Sequence, residues 1–145
     1  MTRYAEGTTV TVESSRGEIT GILAKHGVVR MAWGSEPEGD TLQFEIAGSS
    51  YRFYIPKPTT TELRDLYRAE GRDWNRVYDP EKKVRDEWRR RWRAHVLLLK
   101  AKLEFAASGD STFTREFMPY LLLKDGRTLE AAIVDGGMAL LGAGR

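Results

Sequence analysis

Between Glu81 and Ser108 the chain reads EKKVRDEWRRRWRAHVLLLKAKLEFAAS, its longest uninterrupted helical pattern. Val84, Trp88, Trp92, Val96, Leu99 and Leu103 recur at spacings of four and three, which at about 100° per residue puts them on one apolar stripe. That stripe predicts the spine of a core. Lys82, Arg89, Arg90, Arg93 and Lys100 project onto the opposite face, while Ala94, Leu97, Leu98, Ala101 and Phe105 make the second half apolar almost all round. The helix is therefore expected to run from a wet, basic first half into a buried second half. Leu97, opposite the stripe, calls for a second covered surface, either a homodimer interface or the C-terminal helix.

Charge is distributed unevenly along the chain. The whole carries only +2, but Glu81 to Glu104 holds nine Lys or Arg against four acids. A basic element on a mildly acidic body is an electrostatic footprint for a nucleic acid or for an acidic protein. A length of 145 residues suits one domain that closes its core without staples. There is no cysteine, hence no disulfide, no thiolate zinc site and no cysteine nucleophile, which fits a reducing compartment. The start, MTRYAEGTTV, has no apolar signal core, and no apolar run approaches the roughly 18 residues of a membrane span. A cytoplasmic protein of a host cell, without a membrane partner, is the expectation.

Taken in order, Thr8 to Val12 alternates Thr and Val, the mark of a short strand. Ser15 with Glu18 has the spacing of a capping box for a short helix, with Ile19, Ile22 and Leu23 on its packed face and Gly27 at its end. Val28 to Trp33, Thr41 to Ala47 and Tyr51 to Ile55 each alternate apolar with polar residues, with short links between them, and predict a three-stranded antiparallel meander. The long helix is its natural cover. Residues 56–80 read as a polar, mobile connector carrying a helical turn or two at Leu63, Leu66 and Tyr67, broken at Gly71 and clipped to the body by Trp74, Val77 and Tyr78. After Gly109, TFTREFMPYLLL predicts a helix that Pro119 kinks or delimits, and Thr128 caps another; 135–145 is expected to fray. The fold class is thus α+β in a single domain, 1–145: strand, helix and meander over 8–55, connector over 56–80, helical part over 81–134, tail over 135–145.

One resemblance covers most of the chain except the connector. The Arg-rich run before Lys100-Ala101-Lys102-Leu103-Glu104, then Ser108-Gly109, Thr112-Phe113, Glu116-Phe117 and the Asp125-Gly126-Arg127-Thr128 turn together resemble a family of small, uncharacterised proteins encoded by phages and prophages. The earlier region ending in Tyr51-Arg52-Phe53 fits as well. The resemblance implies a phage accessory protein, encoded near replication or recombination genes.

Catalytic signatures are scarce. His26 and His95 are the only imidazoles; the first sits at a helix end and the second at the edge of the stripe, where each has a sufficient structural reason. Two histidines, no cysteine and no H-E-x-x-H spacing argue against a nitrogen-based metal site, and neither a phosphate loop nor a dinucleotide fingerprint is present. No cofactor is expected. A metal-dependent nuclease built on carboxylates such as Asp40 and Glu45 is a lesser alternative, since Glu45 lacks the following x-Lys of restriction-type sites.

The run Trp88-Arg89-Arg90-Arg91-Trp92-Arg93 carries the strongest chemistry. Guanidinium forks match phosphate oxygens and an indole can stack on an unpaired base, although both tryptophans lie on the core stripe. The plain reading is a solvated face whose arginines pair with Asp86, Glu87 and connector acids. The expected function is a non-catalytic nucleic-acid binder using Lys82, Arg89, Arg90, Arg93 and Lys100, with loss of Arg89, Arg90 and Arg93 sparing the fold. The alternative is a protein-binding inhibitor of a host enzyme or defence system, in the manner of anti-CRISPR proteins, docking the same face on an acidic or nucleic-acid-binding host protein.

Overall fold

The computed structural model describes residues 3–136. In chain order they form α1 (Val12–Lys25), the strands β1 (Arg30–Glu36), β2 (Gly39–Ile46) and β3 (Ser49–Pro56), α2 (Thr60–Ala69), α3 (Pro80–Ala107), α4 (Phe113–Phe117) and α5 (Leu129–Gly136). Single 3-10 turns lie at Trp74–Arg76 and Met118–Tyr120. The architecture is α+β, with the long helix at its centre. No helix among the described residues is long and apolar enough to cross a membrane.

The meander forms as the alternation requires. The sheet order is β1-β2-β3, antiparallel throughout, and the register sets Trp33 opposite Leu42 opposite Phe53, and Met31 opposite Phe44 opposite Tyr51. Those side chains therefore share one face, and α1 and α3 pack on it. The links are tighter than the sequence suggests: Pro37-Glu38 joins β1 to β2, and Ala47-Gly48 joins β2 to β3 with φ of 51° and 80°. Two consecutive positive φ angles are the hairpin turn whose twist matches the flanking strands.

Helix α3 has defined ends. The Asp79 carboxylate accepts from the Lys82 amide at 3.0 Å, Pro80 occupies the first turn, and Gly109 follows the C-cap with φ of 87°. Of the expected stripe, Trp92, Val96, Leu99 and Leu103 are buried and Trp88 is partly so. They meet Ile19 and Leu23 of α1 and the aromatic face of the sheet. Phe117 of α4 closes the far end, with rings of Phe44, Tyr51 and Phe53 all about 6.0 Å away and Phe113 stacked at 4.3 Å. Pairs of this kind contribute roughly 0.5–1.5 kcal/mol each beyond burial.

Several local expectations are corrected. Thr8 to Thr11 is not a strand: it has no partner to complete a ladder, and instead the Val10 amide donates to Thr8 Oγ1 at 3.2 Å. Thr11, not Ser15, caps α1, accepting from the Ser14 amide at 3.1 Å; starting one turn earlier brings Val12 onto the core and leaves Ser15 buried inside the helix. The connector is more ordered than its polarity implies, because α2 buries Leu63 and Tyr67. Trp74 packs edge-on against Tyr67 at 5.0 Å, while Tyr78 is fully exposed and clips nothing. Pro119 delimits α4 rather than kinking it, and Leu121 and Leu122 run extended, bridging to Tyr51 of β3 and to Thr128. Thr128 then caps α5, accepting from the Ala131 amide at 3.2 Å. Of the expected frayed tail, Asp135 and Gly136 belong to α5, with Asp135 paired to Arg127, and the rest lies outside the described residues.

Gly39 begins β2 with no room for a side chain. A Cβ there would stand 2.6 Å from the Ile55 carbonyl oxygen and from the Tyr54 ring. Since a backbone oxygen cannot swing aside, Gly39→Ala is expected to lower stability by about 1–3 kcal/mol, read as a drop in the urea midpoint with an unchanged m-value.

Candidate nucleic-acid interface

The first half of α3 is organised by one carboxylate. Glu87 is 4% exposed, a rare state for a glutamate and tolerable only when its charge is matched. Three guanidiniums match it. Arg90 grips it with two bonds, Nε to Oε1 at 2.7 Å and Nη2 to Oε2 at 3.1 Å; Arg91 Nε donates to Oε2 at 3.0 Å; and Arg3 donates Nη1 to Oε2 and lies 3.0 Å from Oε1 through Nη2. Burial pushes the Glu87 carboxyl up, but Arg90 first, with Arg3 and Arg91, outweighs it and holds the group below the usual glutamate range. Three cations on one anion leave the cluster positive.

The same arginines tie the surrounding chain together. Arg90 Nη1 donates to the Tyr4 carbonyl at 3.0 Å, Arg91 Nη1 donates to the Pro56 carbonyl at 2.9 Å, and Arg91 Nη2 also pairs with Glu62 of α2. Asp86, one residue before Glu87, receives Lys82 at 2.9 Å and Arg89. Between the N-terminal segment, α2 and α3 this leaves a cleft of about 370 Å³ into which Arg3, Arg72, Lys82, Lys83, Arg89 and Arg90 contribute, against Glu6, Asp86 and Glu87. Arg72 is held over the Tyr67 ring, 3.9 Å from its centroid, with Nη2 donating to the phenolic oxygen at 3.1 Å.

No protein-family model, curated protein or solved structure matches the chain.

Of the five cations expected on one face, the structure brings Lys82, Arg89 and Arg90 to the cleft and leaves two elsewhere. Arg93 pairs with Glu18 of α1, fastening the two helices. Lys100 is exposed farther along α3 and borders none of the clefts described. The arginines do pair with Asp86, Glu87 and the connector acid Glu62, as the plain reading of the face held. The expectation that Arg90 can be removed without cost to the fold does not fit this geometry, because Arg90 supplies the strongest contacts to a buried charge. Arg3 and Arg72 were not legible as site residues, being some 80 and 15 positions from the run they join, with no shared periodicity. Lys83 adjoins Lys82 in sequence and also lines the cleft.

The carboxylate pair considered for a nuclease is not assembled. Asp40 and Glu45 are an odd number apart on β2, so they face opposite sides of the sheet; Asp40 is buried, taking a 2.7 Å hydrogen bond from Ser35 and ion pairs from Arg16 and Lys57, while Glu45 pairs with Arg30 across the strands. Among the described residues no cluster of three or more His, Asp or Glu is placed to hold a metal ion. His95 donates Nδ1–H to the Arg91 carbonyl at 2.8 Å, and burial, with the charges of Arg90 and Arg91, holds it below its ordinary value.

Both titrations give stability a pH dependence that can be separated. A carboxylate with a lowered folded pKa contributes fully above the unfolded value, about 4.3, and the contribution is lost as pH falls from there through the folded value. Glu87→Gln is therefore expected to cost about 2 kcal/mol or more at pH 7, less than a fully buried pair because Arg3 is one-third exposed, and to flatten the acid limb below about pH 4. Histidine with a lowered pKa stays neutral when folded, so stability falls as pH drops below about 6.5. Urea titrations of His95→Gln from pH 7 down to about pH 3 should lack that earlier limb and keep the acid one.

Proposed function

We propose that the protein is a non-catalytic nucleic-acid-binding protein whose phosphate contacts are made at the cleft between the N-terminal segment, α2 and α3. One observation carries this reading: six cationic side chains from three separate parts of the chain converge on one cleft, with three of them held in place by contacts of their own to a buried carboxylate or an aromatic ring. Guanidiniums fixed by carboxylates beneath them lose little freedom on meeting a phosphate, and the uneven stoichiometry leaves positive charge to offer. The accessory role implied by the phage-protein resemblance is compatible with such binding.

Lys83 lines this cleft, makes no ion pair among the described residues and is exposed, so it gives the cleanest probe. Fluorescence anisotropy of labelled oligonucleotides across a salt series should show binding that weakens steeply with salt, with a log-log slope of roughly 0.7 to 0.9 per phosphate contact. The variant Lys83→Ala is expected to bind more weakly with a slope shallower by roughly 0.7 to 0.9, and with a Tm within about 2 °C of the parent. Lys100→Ala should bind as the parent does. Absence of binding at low salt overturns the reading and favours a host protein as the partner of this face.

A further inference from the structure

We infer that the nucleic acid taken by this protein is a single strand, laid along a groove of adjoining clefts and stacked by Tyr78 and Trp88. The inference rests on the phosphate reading of the central cleft and concerns what lies on either side of it. On one side Arg89 is shared with a second cleft, of about 340 Å³, bordered by Arg16, Lys57, Arg85 and Trp88. On the other side Tyr67, Arg72, Lys82 and Lys83 are shared with an open hollow of about 630 Å³ in which Tyr78 stands. Arg72 in turn borders a hollow containing Arg64, Arg68 and Trp74. These four adjoining clefts take in twelve of the chain's 23 Lys and Arg but only seven of its 21 Asp and Glu. The rest of the chain is acidic by difference, so these clefts are where positive charge is concentrated for a polyanion.

The aromatic side chains decide what kind of polyanion fits. A duplex presents phosphates outward and keeps its base faces covered, so a cationic track suffices for it. A single strand offers every base face to a π-surface, and grooves that bind it interleave cations with aromatics. Here Tyr78 is fully exposed and stacks on no other ring among the described residues, directly beside the shared Lys82 and Lys83. It does no packing, in contrast to Trp92, which is wholly buried. Trp88 is half-buried, meets Trp92 edge-on at 6.0 Å and 86°, and opens onto the cleft that also holds Arg16 and Arg89. The guanidinium groups of both those arginines are already engaged, Arg16 with Asp40 and Arg89 with Asp86, so the cations of this cleft are held in place. Lys57 Nζ lies over the Trp88 ring, 5.9 Å from its centroid, so cations and an indole are interleaved in this cleft.

Because Tyr78 supports nothing in the fold, its removal separates binding from stability. The test is anisotropy of labelled oligo(dT), oligo(U) and a mixed-sequence duplex of equal length against the full chain, Tyr78→Ala and Tyr78→Phe. At least one of the two single strands is expected to bind at least tenfold tighter than the duplex, and that strand is the ligand. Tyr78→Ala should weaken it by about 5- to 100-fold, the size of one lost base stack, with the duplex affinity and the Tm unchanged, and Tyr78→Phe should keep the parent affinity. Duplex binding as tight as that of both single strands, or a Tyr78→Ala variant indistinguishable from the parent on all of them, overturns the inference and leaves the phosphate cleft standing. Failure of all three probes to bind at low salt overturns the phosphate reading itself, and the inference with it.

Discussion

The carboxylate of Glu87 is the point on which the basic half of the molecule depends. A single ionised glutamate removed from water would be intolerable, and its neutralisation recruits guanidiniums from distant parts of the sequence, Arg3 near its start and Arg90 and Arg91 on α3. Once those three are fixed, their remaining N–H groups fasten the Tyr4 carbonyl, the end of β3 and the start of α2. The polar half of the protein is thereby assembled by charge where the other half is assembled by aromatic packing around Phe117 and Trp92. Substituting any member changes the placement of the others, which is why the cations of this region act as a set.

Much of the architecture was legible because hydrophobic periodicity records which face is covered. The stripe from Trp88 to Leu103 and the alternation through Leu42, Phe44, Tyr51, Phe53 and Ile55 name the two surfaces that meet, and α+β follows from their lengths. The errors fell where local chemistry is degenerate. Thr11 and Ser15 are both good caps, and only the burial of Val12 decides between them. Alternating Thr and Val from Thr8 resembles a strand, yet a strand exists only where an edge is offered to it. Polarity concealed the order of residues 60–76, since two buried side chains, Leu63 and Tyr67, suffice to seat a ten-residue helix.

The site was legible to a lesser degree, for a reason that concerns distance along the chain. A helical wheel gathers Lys82, Arg89 and Arg90 because they share one element, and it equally gathers Arg93 and Lys100, which the tertiary structure sends elsewhere. It is blind to Arg3 and Arg72, whose membership depends on how the N-terminal segment and α2 are laid against α3. It also cannot tell which arginine faces a ligand and which faces Glu18 or Glu87. The carboxylates of Asp86 and Glu87 were visible as possible partners, but the burial of Glu87, and with it its role as an anchor, arises only on folding.

The bridge of Leu121 and Leu122 to β3 bears on how the protein behaves at high concentration. By hydrogen bonding to Ser50 and pairing with Tyr51, this stretch occupies part of the outer edge of the sheet on the β3 side. The opposite edge, β1, has no such cover among the described residues and carries an almost fully exposed Val29 just before it. What blunts that edge is composition: Arg30 and Glu36 at its ends and a glycine and a serine between them. Self-association through strand addition, in a crowded cell or during refolding, has therefore one side of the sheet from which to begin, and charge is what opposes it.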